Sequence, residues 1–223
     1  MIPVITIDGP SGTGKGTIAK KLAQTLNWFL LDSGALYRVA ALAALRQRIP
    51  LDASEALVER LRALPFPLRG DQVWLDGEEV SQEIRQEAIG TAASQIAALP
   101  AVRQALLDWQ RQAAQPPGLV ADGRDMGTLV FPDALLKVFL TASLEERARR
   151  RLKQLKEKDF DGSLAEILQE MAARDLRDQN RPIAPLRPAT DALVIDTTQL
   201  NIDAVFRQVY EAAAQHLSEN LKR

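Results

Sequence analysis

The chain contains no cysteine and a single histidine among its 223 residues. The first absence rules out disulfides and thiol nucleophiles and fits a reducing, cytoplasmic setting. The second rules out a histidine-based triad or a zinc site built on several His or Cys ligands. The one histidine, His216, falls in the expected last helix and reads as a solvated residue near its end. Charge of one sign is also missing. There are 28 basic and 29 acidic residues, a net charge of −1, so a general affinity for nucleic acid or other polyanions has no electrostatic support. Long apolar runs are absent too. The start, Met1-Ile2-Pro3, has no basic region ahead of its apolar stretch, which is too short for a secretory signal or a membrane span. No internal repeat, linker or low-complexity tract is evident. What remains, 46% hydrophobic and 26% charged residues, is a soluble globular composition with enough length for one sizeable core and inserted subdomains.

The most informative segment is Gly9-Pro10-Ser11-Gly12-Thr13-Gly14-Lys15-Gly16-Thr17. It follows an apolar strand, Val4–Ile7, and opens a helix. Its glycines reach backbone angles that residues with a Cβ avoid, so successive N–H groups can turn inward and cradle anionic oxygens. The helix N-terminus adds partial positive charge, and Lys15 adds a full one within reach of β- and γ-phosphates. The general pattern is G-x-x-x-x-G-K-[ST]. Here Gly16 stands where Ser or Thr is usual and Thr17 follows one place later; this Gly-Lys-Gly-Thr ending resembles that of nucleotide kinases, which implies that Thr17 supplies the metal-ligating hydroxyl.

Apolar strands alternate with amphipathic helices, which predicts an α/β fold: three α/β/α layers around a five-stranded parallel sheet. The expected strands are Val4–Ile7, Phe29–Leu31, Leu119–Ala121, Lys137–Leu140 and Leu193–Ile195. The first helix, about Gly14 to Leu26, buries Ile18, Leu22 and Leu26; the last buries Val205, Val209, Ala213 and Leu217. Two segments interrupt the alternation. Between Phe66 and Val80, Gly70-Asp71 and Asp76-Gly77 signal turns around Val73, Trp74 and Leu75, a small antiparallel insert. Between Leu144 and Arg174 lies a charged helix pair broken at Asp159-Phe160-Asp161-Gly162, a candidate mobile lid.

Ligands of open parallel sheets bind beyond the carboxyl ends of the strands. After the second strand, Asp32-Ser33-Gly34-Ala35-Leu36-Tyr37-Arg38 places Ser33 and Arg38 there; a helix N-cap followed by a surface arginine fits the spacing equally. After the third, Asp122-Gly123-Arg124-Asp125-Met126-Gly127 offers Asp122 as the carboxylate that orients Mg²⁺, directly or through water, with Arg124 and Asp125 facing the cleft. An Arg–Asp surface pair on a tight turn is the alternative. In Arg174-Asp175-Leu176-Arg177-Asp178-Gln179-Asn180-Arg181, positions 174, 177, 178 and 181 share a helical face, and Pro182 and Pro185 leave Arg181 at the helix mouth. On its own this run also fits a salt-bridged exposed helix; a phosphate loop in the same chain tips the reading towards anion binding. Arg147, Arg149, Arg150 and Arg151 form a further basic run, one or two of which reach ATP if the lid closes.

These parts suit phosphoryl transfer to an acceptor that is itself a phosphate. An alcohol acceptor calls for a base. A phosphate, with a second pKa of about 6, is already mostly dianionic near neutrality. The obstacle is repulsion between two anions, which arginine forks overcome with a charge that does not titrate.

With these motifs in hand, the chain resembles the bacterial cytidylate kinases. The four marks are Gly9–Thr17, with its Gly-Lys-Gly-Thr ending, Asp32–Arg38, Ala121-Asp-Gly-Arg-Asp-Met-Gly-Thr128 and Arg174–Arg181, spread over almost the whole chain. The resemblance implies transfer of the ATP γ-phosphoryl group to CMP or dCMP with Mg²⁺ by a cytoplasmic monomer. It implies a core of residues 1–36, 106–143 and 182–223, a monophosphate-binding region of 37–105 and a lid with its arginine-rich helix at 144–181. The insert at 66–80 resembles the extra β segment of the bacterial members. Ser33, Arg38, Arg124, Asp125, Arg174, Asp178 and Arg181 would form the monophosphate site, joined by Ser94 and Arg103, which spacing alone does not single out. Ser94, Arg124 and Asp125 would read the base edge, and Asp178 would accept from ribose hydroxyls. Catalysis would rest on Lys15, Arg124, Arg174, Arg181 and Asp122.

Two other readings share the loop. A kinase of a small alcohol, of shikimate or gluconate type, needs a carboxylate base and leaves the paired nucleotide-style motifs unexplained. A partner-coupled NTPase switch or motor needs a guanine-reading Asn-Lys-x-Asp motif or a catalytic glutamate after the strand aspartate. The first is absent, and Asp122 is followed by Gly123.

Overall fold

The computed structural model describes residues 2–65, 68–69, 72–157 and 163–220. The turn expected at Gly70-Asp71 and the break at Asp159–Gly162 lie outside them. Two compact units emerge, one of residues 1–30 and 114–223, the other of Leu31–Ala113.

The first unit holds the strands that carry the phosphate loop. β1 (Val4–Asp8) is buried along its whole length and pairs in parallel with β6 (Leu119–Gly123) and β7 (Leu136–Thr141); β7 pairs with β8 (Leu193–Asp196). With β2 (Phe29–Asp32) the sheet order is β2-β6-β1-β7-β8. The strands are apolar runs, as in a sheet covered by helices; β1 and β6 at its centre are buried throughout, whereas on the edge strands Phe29, Leu193 and Val194 are exposed.

α1 (Lys15–Leu26) starts at Gly14 and stops at Asn27, a left-handed residue whose N–H reaches back to the last carbonyls. Its buried Ile18 and Leu22 lie one turn apart and share a core with Val205, Val209 and Ala213 of α8 (Ile202–Asn220). Leu26 and Leu217 of the expected stripes are half-buried. α6 (Leu144–Lys156) is N-capped by Ser143, whose Oγ accepts from Glu146 N at 3.2 Å. α7 (Leu164–Gln179) begins with a Ser163–Glu166 capping box. Ala148, Ile167 and Met171 form a small core between these two helices.

In the second unit, α2 (Ser33–Arg46) is apolar almost all round and buried from Ala35 to Ala44 except at half-buried Arg38. It packs with α3 (Ser54–Arg62), α4 (Glu87–Ile96) and α5 (Pro100–Gln112). The insert is a three-stranded antiparallel sheet: β3 (Leu68–Arg69), β4 (Gln72–Leu75) and β5 (Glu78–Glu79). Its hairpin turns at Asp76 and Gly77, with φ of 50° and 87°, the type I′ geometry an Asp-Gly pair favours. Among the described residues no helix is long and apolar enough to cross a membrane. His216 sits on α8 with Nδ1 2.9 Å from Ala212 O, a local helix contact.

Candidate active site

The loop after β1 turns at Gly9, φ +148°, and passes so close to β7 that a Cβ there would lie 2.1 Å from Leu140 O. Lys15 Nζ and Thr13 Oγ1 both donate to Pro10 O, each at 3.1 Å, folding the loop over its own concavity. Thr197 Oγ1, after β8, donates to Thr13 O at 3.3 Å and braces the far side. At Gly16, the departure from the usual pattern, a Cβ would lie 3.1 Å from Asp122 Oδ2, a tight contact with a side-chain oxygen. The carboxylate at the end of β6 therefore rests against the first turn of the helix that carries Thr17.

Asp8, absent from the expected site, is the central find. It closes β1 at 5% exposure, and its two carboxylate oxygens accept from consecutive backbone N–H groups, Met126 at 2.9 Å and Gly127 at 2.8 Å. These open a single wide turn, Met126–Val130, in which Val130 N bonds back to Asp125 O, the π-helical spacing often found at functional sites. Asp8 thus anchors the segment bearing Arg124 and Asp125. Burial pushes its carboxyl up to about 7 against the pull of the two amides, and the charges of Asp125 and Asp122 add to the rise. An acid at the end of an otherwise apolar strand, just ahead of the loop, was the available signal.

Asp122 and Asp125 are both buried. Arg124 Nε donates to Asp178 Oδ2 at 3.1 Å, and Arg181 Nη2 donates to Asp178 Oδ1. Burial alone raises the Asp178 carboxyl; the combined attraction of Arg124, Arg181 and Arg174 outweighs it and holds the group below the ordinary carboxylate range. So Arg124, Arg174, Asp178 and Arg181 are brought together in one unit, rather than solvated on a helix face. Two details of the expected face change. α7 ends at Gln179, so Arg181 reaches Asp178 from beyond the helix, and Arg177 is exposed. The basic run on α6 divides. Arg149 is exposed, whereas Arg147 and Arg150 are internal braces, Arg150 donating to Thr197 O at 2.6 Å and Thr197 Oγ1 at 3.1 Å.

The second unit carries the other expected contacts. Asp32 is the N-cap of α2, its Oδ1 accepting from Ala35 N at 3.0 Å, and Ser33 is buried beside it. Arg38 is no solvated surface residue: its Nη1 donates to Ile84 O at 2.7 Å and Gln86 O at 3.2 Å. Ser94 is buried on α4. Arg103 is buried on α5, donates to Ala97 O at 3.2 Å and lies 5.8 Å from the Tyr37 ring centroid.

A parallel sheet whose central strand feeds a glycine-rich loop with a lysine at the helix entry defines a P-loop nucleotide-binding protein. The family model described as Cytidylate kinase matches residues 5–215, and the chain belongs to the cytidylate kinase family. It is 55% identical over 223 residues to the cytidylate kinase of Aeromonas hydrophila subsp. hydrophila, covering 98% of this chain and 97% of that one. It is 56% identical over 220 residues to that of Sodalis glossinidius, covering 97% of each. A gluconokinase structure from Sinorhizobium meliloti 1021 aligns over 99% of this chain and 95% of that one, with a TM-score of 0.50 at 16% identity, a likeness of fold alone.

Proposed function

We propose that this chain transfers the γ-phosphoryl group of ATP to CMP or dCMP, giving CDP or dCDP and ADP, by direct in-line displacement. The observation that carries the reading is the buried carboxylate of Asp178 gripped by Arg124 and Arg181, in the same unit as the phosphate loop. No alcohol-activating base is needed when the acceptor is a phosphate, and fixed cations are.

In this reading residues Gly9–Thr17 hold the ATP phosphates and Lys15 follows charge onto the transferring group. Ser33, Arg38, Arg103, Arg174 and Arg181 bind the acceptor monophosphate, and Arg124, Arg174 and Arg181 also stabilise transition-state charge. Ser94, Arg124 and Asp125 read the cytosine edge. Asp178 orders its arginines and accepts from ribose hydroxyls. The monophosphate-binding region is residues 37–105, and residues 144–181 form the lid and the arginine-rich helix that follows it.

The donors fit Mg²⁺. Thr17 and Asp122 offer hard oxygens, and among the described residues no group of three His, Cys, Asp or Glu is gathered. That suits an ion that shares its ligands with substrate phosphates rather than a closed protein cage. Thr17 and Asp122 would hold it, and it would supply charge neutralisation at the β- and γ-oxygens. The protein is proposed to act as a cytoplasmic monomer without nucleic-acid or membrane partners.

The test is turnover of ATP with CMP, dCMP, UMP, AMP and shikimate. CMP should outpace AMP by a wide margin, because a site built on hydrogen bonds rejects a base lacking the matching groups. Equal rates would remove the cytosine assignment.

A further inference from the structure

We propose that Arg147 is the positioning residue that fixes the phosphate loop relative to the helix carrying Arg174 and Asp178. The proposal rests on the reading above that Arg174, Asp178 and Arg181 hold the acceptor.

Arg147 lies in the first turn of α6, where the helix dipole disfavours a cation, and it is only 4% exposed. A buried arginine in that position needs a reason. Its guanidinium donates in three directions: Nε to Ala142 O at the end of β7, 3.1 Å; Nη1 to Ser11 O in the loop, 3.1 Å; and Nη2 to Asp175 Oδ2 on α7, 2.5 Å. The planar fork keeps these three bonds in one fixed geometry. The loop also lies flush on both helices. A Cβ on Gly12 would come within 2.9 Å of Arg147 Cβ, 3.2 Å of Arg147 O and 3.1 Å of Met171 Cε.

Asp175 immediately follows Arg174 and precedes Asp178 by less than one helical turn. One stiff stretch of α7 is therefore tied to the loop through Asp175 and Arg147 and presents the acceptor groups through Arg174 and Asp178. A shift at Asp175 moves the others with it. Arg147 would in this way set the spacing between donor and acceptor phosphates without touching either, and near-attack geometry is sensitive at the level of about 1 Å, which can cost roughly a hundredfold in rate.

The experiment measures kcat, KM for ATP, KM for CMP and melting temperature in Arg147→Met, Arg147→Lys, Asp175→Asn, the Arg147→Met/Asp175→Asn double variant and Asp178→Asn. Expected losses in kcat are about a hundredfold for Arg147→Met and about tenfold for the isosteric Asp175→Asn, with both KM values within about threefold of the parent. Arg147→Lys keeps the charge and loses the fork, so it should fall in between. The double variant should be no worse than Arg147→Met alone, since the two groups act as one unit. A kcat within about twofold of the parent in folded variants overturns the proposal, as does a rise in KM for ATP with kcat intact, which would make Arg147 a nucleotide ligand. If Arg147→Met does not fold, Asp175→Asn carries the decision on the same criteria. Asp178→Asn tests the underlying reading separately: it should raise KM for CMP, and an unchanged value refutes the acceptor assignment and with it the acceptor half of this proposal.

Discussion

Asp8 sets burial against hydrogen bonding, and replacing it with asparagine asks which wins. Two amide N–H bonds, at 2.9 and 2.8 Å, favour the carboxylate; burial at 5% exposure, next to Asp125 and Asp122, favours the neutral acid. Burial is the larger influence, and the carboxyl rises from 3.8 to about 7. The folded state therefore binds the extra proton between those two values. The stabilisation is full below about pH 4 and is lost as pH climbs through 7. Relative to a side chain that cannot ionise, the parent should lose about 3 kcal/mol between pH 5 and pH 8. An asparagine side chain cannot ionise, but its NH2 end only donates, so it leaves one of the two backbone N–H groups of Met126 and Gly127 without its acceptor at every pH. The stability difference between Asp8→Asn and the parent should therefore move by about 3 kcal/mol in favour of the variant from pH 5 to pH 8, whatever its value at pH 5. Urea unfolding of both proteins at a series of pH values, followed by circular dichroism, reads the difference, in which the remaining titrating groups largely cancel. If the difference between the two proteins instead stays constant from pH 5 to pH 8, the amide bonds outrank burial and Asp8 is an ordinary ionised cap.

Lys15→Ala should lower kcat by on the order of a hundredfold or more with little change in melting temperature, because the ammonium acts on the transferring group and its bond to Pro10 O is worth only about 1 kcal/mol; an unchanged kcat would contradict the role of the loop. Gly9→Ala should destabilise by about 3 kcal/mol or more, since a Cβ at 2.1 Å from Leu140 O meets the backbone of a central strand; a melting temperature within a degree or two of the parent would mean that the strand yields. Arg181→Ala removes one of the guanidinium partners of a buried carboxylate, so it should lower the melting temperature as well as turnover, by about 2 kcal/mol with Arg124 still in place; intact stability would show that solvent reaches Asp178.

What was legible in the sequence shared one property, locality. The phosphate loop, the Asp76-Gly77 turn and the five strands each announce themselves within a few neighbouring residues. Even the boundary errors follow a rule. The expected strands end at Ile7, Leu31, Ala121, Leu140 and Ile195; the observed ones run on to Asp8, Asp32, Gly123, Thr141 and Asp196. Apolar patterning stops where the strand begins to carry polar residues, and the carboxyl ends of a parallel sheet are where ligands bind. The pattern thus fades at the residues that matter most. Contacts between groups distant in sequence were not legible, even where the groups themselves were, as with Arg124 and Asp178. Asp8 answers to residues 118 and 119 positions away, and Arg147 reaches 136 positions to Ser11. A charged residue in a basic run looks solvated until its partners are known, because the cost of burying an arginine is offset only by acceptors that the fold brings in. It follows that the loop motif specifies which chemistry is possible, while the rate depends on long-range contacts that hold the motif in place; substitutions at Arg147 and Asp175 should therefore slow the reaction without altering any residue that the motif contains.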